Sequence, residues 1–182
     1  MATRSLDTSP LPPSPFVRQF AERIHYGRLD ILDVGCCMGR NAIYLAQLGH
    51  NVVGVTKDVE ELRVAKSNAV GNIRFIAADA RKLPLRKQFD VVLFNEVLHQ
   101  LDRHDGKKTI QALGALTKPD GFHVVSDYIG DKTDALDPLE LRSMYAGSSW
   151  KVLEYQEDPI GSIAVGDVCE LTSLASIIAV KQ

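Results

Sequence analysis

The amino-acid sequence predicts an α/β fold with an open, mostly parallel, doubly wound β-sheet. Short, continuous apolar runs recur along the chain, which is typical of parallel strands that are covered on both faces. Helical patterns that end in glycine separate the first of these runs. Such a β-α-β-α-β alternation, wound right-handed, places helices on both sides of the sheet. The five predicted parallel strands cover residues 29–34, 52–55, 73–77, 91–94 and 122–125.

Helices are predicted before, between and after these strands. Apolar residues recur at spacings of three to four from Phe16, which predicts a first amphipathic helix that ends near Gly27. The other predicted helices cover residues 41–48, 59–70 and 138–145.

The C-terminal part predicts an antiparallel hairpin at the edge of the sheet. Two extended segments, 150–155 and 171–180, are separated by a stretch that contains Gly and Pro, which predicts a connecting loop. Four of the eight prolines fall within residues 10–15 and disfavour a helix there. We therefore predict a flexible Pro-rich lead-in over 1–15 and a single domain over 16–182.

Composition places the chain among ordinary globular proteins. The 182 residues are 45% hydrophobic and 24% charged, and the formal net charge of −2 creates no overall field for nucleic acid or an anionic membrane. No apolar run is long enough to predict a membrane span. The three cysteines and the scattered histidines fit neither a disulfide framework nor a metal site, so we expect no metal and a reducing, cytoplasmic setting.

The most informative motif is the turn after the first predicted strand. There, Asp33 is followed by Gly35 and Gly39 and then by a predicted helix. In open α/β sheets, ligands bind at such a strand-to-helix turn. A phosphate-binding P-loop would need Gly-Lys-Ser/Thr, which is absent. A dinucleotide fingerprint in phase with Gly35 would need small residues where Cys37 and Arg40 stand.

The turn resembles that of class I S-adenosylmethionine-dependent methyltransferases, an acidic residue followed by three alternate glycines, with Cys37 in place of the middle glycine. Segment 39–46 resembles especially the tellurite-resistance type, in the small-molecule branch of the family. Further similarities follow in the family's order at 78–80, 89–92 and 118–121, and the resemblance extends over residues 16–181. It implies a Rossmann-like, seven-stranded, mostly parallel sheet that includes the antiparallel C-terminal hairpin.

The resemblance also implies where the cofactor S-adenosylmethionine binds. Asp33 and the glycine turn would take its methionine end, with Arg40 on the carboxylate. Asp79 and the Ala80 N–H would contact the adenine, and Asn95 would lie beside the reactive end. The full set of predicted cofactor-binding residues is Asp33, Gly35, Cys36, Cys37, Gly39, Arg40, Thr56, Lys57, Asp79, Ala80 and Asn95.

Two departures from the family pattern affect this prediction. The second strand is followed by Thr56, where the family usually has an Asp or Glu that accepts both ribose hydroxyls. Thr56 can hold one hydroxyl, and Asp58 is near enough in sequence to approach. Cys37 adds a Cβ at a position that, if it requires positive φ, is strained. An alternative prediction is therefore a non-catalytic binding or regulatory module that keeps the methyltransferase fold but has an impaired cofactor site.

The predicted reaction is methyl transfer to a small-molecule substrate, with a thiol or a chalcogen as the candidate nucleophile. His99, just after the fourth strand, is a candidate general base, although a half-exposed structural histidine is the simpler interpretation. Tyr128 and Asp127 follow the fifth strand at the mouth of the crevice, where Tyr128 is a second catalytic candidate. We predict no nucleic-acid or membrane partner and a monomer or homodimer.

Overall fold

The computed structural model describes residues 11–24, 27–129, 137–147, 149–165 and 168–182. Residues 1–10 of the predicted lead-in lie outside this described part. Residues 11–14 have no regular secondary structure, and the first helix begins at Pro15, one residue before the predicted start of the domain. Ser14 is buried, and its N–H donates to Asn41 Oδ1 at 2.8 Å. The end of the lead-in is thus attached to the domain.

The described residues form a seven-stranded sheet, which confirms the predicted fold class. The strand order is β3-β2-β1-β4-β5-β7-β6; β1 to β5 are parallel, and β7 runs antiparallel to both β5 and β6. The chain crosses over between β1 and β4, where α/β sheets open a crevice. The strands are β1 Asp30–Val34, β2 Asn51–Thr56, β3 Ile73–Ala77, β4 Phe89–Asn95, β5 Thr117–Ile129, β6 Trp150–Val165 and β7 Val168–Lys181.

The helices lie between the strands largely as predicted. They are α1 Pro15–Arg23, α2 Arg40–Gln47, α3 Val59–Ser67, α4 Arg103–Ala115 and α5 Pro138–Ser143. Helix α1 ends before the predicted boundary near Gly27. Helix α4 was not predicted, because Gly106 and Gly114 interrupt its apolar pattern. Gly106 lies close to Leu98, where an added Cβ would be 3.3 Å from its side chain, so the small residue allows close packing.

The predicted Gly/Pro loop of the hairpin is wrong. Strands β6 and β7 stay paired from Trp150 opposite Lys181 to Val165 opposite Val168. The pairing register shifts between Pro159 and Gly161, and such bulges accommodate Pro and Gly in an edge strand. The hairpin is therefore much longer than the two apolar runs that predicted it.

Two apolar clusters cover the two faces of the sheet. Neighbouring residues of β1 point to opposite faces, so Ile31 belongs to one cluster and Leu32 to the other. The first cluster includes side chains of α1, α2 and α3, and the second includes those of α4 and α5. This packing fixes the carboxyl ends of the parallel strands at one edge. Among the described residues, no helix has the length and apolar character that crossing a membrane requires.

Candidate active site

Two cavities lined by described residues lie at the carboxyl ends of the parallel strands. Each has a volume of about 330 Å³, at the lower end of the range for small-molecule sites. The first cavity is lined mainly by residues at and after the ends of β2 and β3. The second is lined mainly by the turn after β1, by residues at and after the end of β4, and by Tyr128, which lies within β5 and not after it as predicted. The two cavities share the lining residues Gly35, Cys37, Glu61 and Gln100.

The turn after β1 separates the cavities and requires an unusual backbone. Gly35 has φ +77°, and a Cβ there would lie 2.2 Å from Val97 Cγ2, so a side chain does not fit. Cys37 adopts φ +48°, the left-handed region that disfavours a side chain. Gly39 has φ +89° at the start of α2 and packs near Phe75, and it lines neither cavity. Gly39 therefore shapes the turn.

Asp33 and Asn95, at the ends of adjacent strands β1 and β4, each bring an unsatisfied buried polar atom to this region. Among the described residues, Asp33 Oδ2 and Asn95 Nδ2 have no hydrogen-bond partner, whereas Asn95 Oδ1 accepts from the Ser126 hydroxyl at 3.0 Å. Burial raises the pKa of Asp33 to about 7, although the positive charge of Arg40 opposes this shift. One unsatisfied acceptor and one unsatisfied donor suit a ligand with an ammonium and a carboxylate group.

Arg40, predicted to bind the cofactor carboxylate, is already paired. Its guanidinium forms an ion pair with Glu96, whose other carboxylate oxygen accepts from the Tyr128 hydroxyl at 3.1 Å. Glu96 also has a positive φ of +56°. The ion pair and hydrogen bond link α2, the end of β4 and the end of β5 across one wall of the second cavity. Arg40, Glu96 and Tyr128 all line that cavity.

His99 lies in a short 3₁₀ helix, 98–100, and is oriented by Asp127. The His99 Nδ1 atom is 2.8 Å from Asp127 Oδ1. The Asp127 carboxylate is fully buried and also accepts from the N–H groups of Val97 at 2.8 Å and Leu98 at 2.6 Å. The ring of Tyr128 packs edge-on against that of His99, with 5.1 Å between centroids. His99 is thus a partly exposed imidazole that is held in a defined orientation beside the second cavity.

The predicted ribose and adenine residues line the first cavity. The Thr56 hydroxyl donates to Glu61 Oε2 at 3.0 Å, so it is directed at a neighbouring side chain. Asp79 is bound by Arg81, with 2.7 Å between Oδ2 and Nη2, and this ion pair lowers the pKa of Asp79 to about 2. Lys57 and Ala80 line the same cavity.

The structure brings most of the predicted site together. Both catalytic candidates and nine of the predicted cofactor residues line the two cavities, while Gly39 and Asp33 lie outside the linings. Sequence reasoning missed Glu61 and Glu96. Glu61 lies on helix α3, and the sequence alone does not show that this side of the helix faces the cavities. Glu96 directly follows Asn95 at the end of β4, and this position after a parallel strand was a signal that could have identified it as a site residue.

Solved structures similar to this chain share its fold. TehB from Haemophilus influenzae superimposes with a TM-score of 0.75 at 22% identity, over 91% of this chain and 61% of that one. A SAM-dependent methyltransferase from Methanosarcina mazei superimposes with a TM-score of 0.74 at 15% identity, over 94% of this chain and 99% of that one. These similarities define the fold as that of class I S-adenosylmethionine-dependent methyltransferases.

The sequence comparisons identify the family. Residues 32–125 match the family described as "Methyltransferase domain", and this match covers just over half of the chain. The chain belongs to this family. A ubiquinone biosynthesis O-methyltransferase from Colwellia psychrerythraea is 38% identical over 99 residues, which are 52% of this chain and 39% of that protein. The homologue from Haemophilus ducreyi is 35% identical over 53% of this chain. The match thus spans less than half of the length of these relatives.

Proposed function

We propose that the protein transfers a methyl group from S-adenosylmethionine to a small-molecule acceptor. The observation that carries this proposal is the pair of unsatisfied buried atoms, Asp33 Oδ2 and Asn95 Nδ2, beside a strained turn at the crossover of a methyltransferase fold. Such atoms are costly unless a ligand satisfies them. S-adenosylmethionine carries an ammonium, a carboxylate and a methyl group activated by a sulfonium, so its methionine end matches this pair.

The residues that line the two cavities, together with the buried Asp33 beside them, divide the cofactor between them. Asp33 accepts from the ammonium, while the Asn95 amide donates to the carboxylate. The first cavity then takes the adenine, where Asp79 Oδ2 retains a lone pair beyond the one that Arg81 Nη2 uses. The protein's main task in this reaction is to align donor and acceptor and to exclude water.

The second cavity fits an acceptor that must lose a proton. Because Asp127 binds Nδ1 of His99, the Nε2 atom is the nitrogen that accepts a proton from an acceptor O–H or S–H. The acceptor heteroatom then forms its new bond to the methyl carbon as the carbon–sulfur bond of the cofactor breaks. Arg40 is the one Lys or Arg among the described residues of this lining, and it pairs with Glu96. A hydroxyl or thiol acceptor therefore suits the site better than a chalcogen oxyanion, and the name of the ubiquinone O-methyltransferase relatives favours the hydroxyl.

Calorimetric titration of the purified protein tests the proposal. S-adenosylmethionine and S-adenosylhomocysteine are expected to bind with micromolar dissociation constants, whereas NAD shows no binding. A screen of small phenols and thiols, read by release of S-adenosylhomocysteine, then identifies the acceptor class. Failure of both adenosyl ligands to bind would overturn the proposal.

A non-catalytic binding module is the second candidate function, and the strained Cys37 in the turn is the observation that favours it. Because Cys37 lies in the turn that would hold the cofactor, this alternative predicts that the adenosyl ligands bind weakly or not at all and that no acceptor in the screen is methylated. It also predicts that substitution of His99 leaves every measurable property of the protein except local stability unchanged. Turnover with any acceptor, abolished by substitution at His99, would exclude it.

A further inference from the structure

We infer that Glu61, on helix α3, is the residue that binds the two ribose hydroxyls of the cofactor, in place of an acidic residue at the end of β2. This inference rests on the proposed function for the identity of the ligand. It is carried by the position of Glu61 between the two cavities and by the way in which Thr56 orients its carboxylate.

Glu61 occupies the place where an elongated ligand must pass from one cavity to the other. Its half-buried side chain lines both cavities, and it is the one carboxylate that the two described linings have in common. A ligand with its adenine in the first cavity and its amino-acid end in the second places the connecting ribose here. A carboxylate accepts strong hydrogen bonds from two neighbouring hydroxyls at once.

The other two candidates for this task are already engaged. The Thr56 hydroxyl donates its single proton to Glu61 Oε2 at 3.0 Å and accepts from the Asp58 N–H at 3.3 Å. Asp58 Oδ1 accepts from the N–H groups of Glu60 and Glu61 at 2.8 and 2.9 Å, so Asp58 caps the start of α3. Thr56 therefore acts as a positioning residue that fixes the carboxylate of Glu61.

The arrangement also explains how the chain keeps a carboxylate at the ribose position while the residue at the end of β2 is uncharged. The Asp58 cap places the first turn of α3, and the Thr56 hydroxyl then holds Glu61 over the gap between the cavities. The carboxylate thus reaches the cleft from the helix side. Loss of the Thr56 hydroxyl weakens this orientation, while loss of the Glu61 charge removes the acceptor itself.

The test compares S-adenosylhomocysteine with its 2′,3′-dideoxy analogue by calorimetry. The wild-type protein is expected to bind the ribose form roughly tenfold to a hundredfold more tightly than the dideoxy form, the range for hydrogen bonds to a charged group. Glu61→Gln is expected to lose most of this preference, and Thr56→Val part of it. The matched control is Glu60→Gln, because Glu60 is an exposed neighbour on the same helix that pairs with Arg63.

The outcomes separate this inference from the proposed function. If Glu61→Gln keeps the full preference for the ribose form, or if Glu60→Gln loses it equally, the assignment of Glu61 is wrong although the cofactor still binds. If the wild-type protein binds neither ligand, the proposed function fails and the inference fails with it. Thermal melting of each variant checks that it is folded.

Discussion

Asp33 and Asp79 are two aspartates at the same edge of the sheet, and their electrostatic states are opposite. Asp33, at the end of β1, is fully buried, and burial raises its pKa to about 7. Asp79, just after β3, is partly exposed, and its ion pair with Arg81 lowers its pKa to about 2. One carboxylate lacks a partner for Oδ2 among the described residues, and the other is already engaged by a guanidinium. The unsatisfied carboxylate oxygen of this pair is thus that of Asp33, to which the proposed function assigns the ammonium of the ligand.

This contrast extends to the two cavities. The second cavity is bordered by an unsatisfied group, Asn95 Nδ2, and by the positive φ of Glu96. In the first cavity, Thr56 and Asp79 are already hydrogen-bonded within the protein. Strain and unpaired polar groups are typical of functional sites. We therefore expect the largest effects on catalysis and binding from the second cavity.

The largest effect is expected from His99→Gln. If His99 removes the acceptor proton, this substitution lowers kcat by about 10²- to 10⁴-fold, the usual contribution of a general base, and leaves the dissociation constant of S-adenosylmethionine unchanged. Steady-state kinetics with the acceptor found by screening, together with calorimetry, measures both quantities. His104→Gln, a substitution of an exposed histidine on α4, is the control and keeps the wild-type rate. Full activity of His99→Gln would remove His99 from the mechanism.

The second largest effect compares the two aspartates directly. Asp33→Asn removes the anion that pairs with the ligand ammonium, so the affinity for S-adenosylhomocysteine at pH 8 is expected to fall about a hundredfold. Asp79→Asn keeps an amide oxygen as an acceptor for the adenine amino group, and its affinity is expected to fall by less than about tenfold. Calorimetry of both variants measures the difference. Equal losses would show that the contrast in ionisation between the two aspartates has no bearing on binding.

The sequence was sufficient to predict the five parallel strands, because their signals are local. Apolar runs defined the parallel strands, and glycines ended the first helices, so the position of the Asp33–Gly39 turn followed from neighbouring residues. The long hairpin was predicted only at its apolar ends, because pairing across Pro159 and Gly161 depends on the partner strand.

The details of the site were less predictable, because they depend on contacts between distant residues. Asp127 meets His99 because β5 lies beside β4, with Asn95 opposite Ser126 in the register. Sequence placed Asp127 near the crevice but gave no means to pair it with His99. The Thr56 hydroxyl donates a hydrogen bond to Glu61 and holds its carboxylate at the cleft. Thr56 is also the residue whose identity suggested that the acceptor for the ribose hydroxyls was missing. A sequence pattern thus located the departure from the family, while tertiary geometry was needed to find its counterpart.

The comparison of the aspartates also predicts how binding depends on pH. Because the pKa of Asp33 is raised to about 7, the free protein takes up a proton there as the pH falls below 7, and the ammonium of the ligand must displace it. The affinity for S-adenosylhomocysteine is therefore expected to fall about tenfold per pH unit below 7 and to level off above it. Asp79, with a pKa of about 2, stays ionised throughout this range.

Calorimetry between pH 5.5 and 8 measures this dependence, with Asp33→Asn as the control that removes it. The charges of Arg40 and Glu61 and the thiol of Cys37 also influence the electrostatics near Asp33. Because the Asp33→Asn variant keeps all three residues, the difference between its pH profile of binding and that of the wild-type protein isolates Asp33. Because a raised carboxyl pKa favours the folded state at lower pH, the free energy of unfolding contributed by Asp33 rises as pH falls from 7 toward 4. An identical pH profile in both proteins would contradict the prediction.

The smallest expected effect concerns Cys37, where the two cavities meet. Its side chain is held at φ +48°, so Cys37→Gly relieves a strain of roughly 1–2 kcal/mol, part of which is offset by the greater freedom of glycine in the unfolded chain. We expect the free energy of unfolding to rise by about 0.5–1 kcal/mol in urea denaturation. Met38→Gly, one position along and without a positive φ, is expected to be destabilised instead. If Cys37→Gly is also destabilised, contacts of the thiol outweigh the strain, and the cysteine contributes to the stability of the turn.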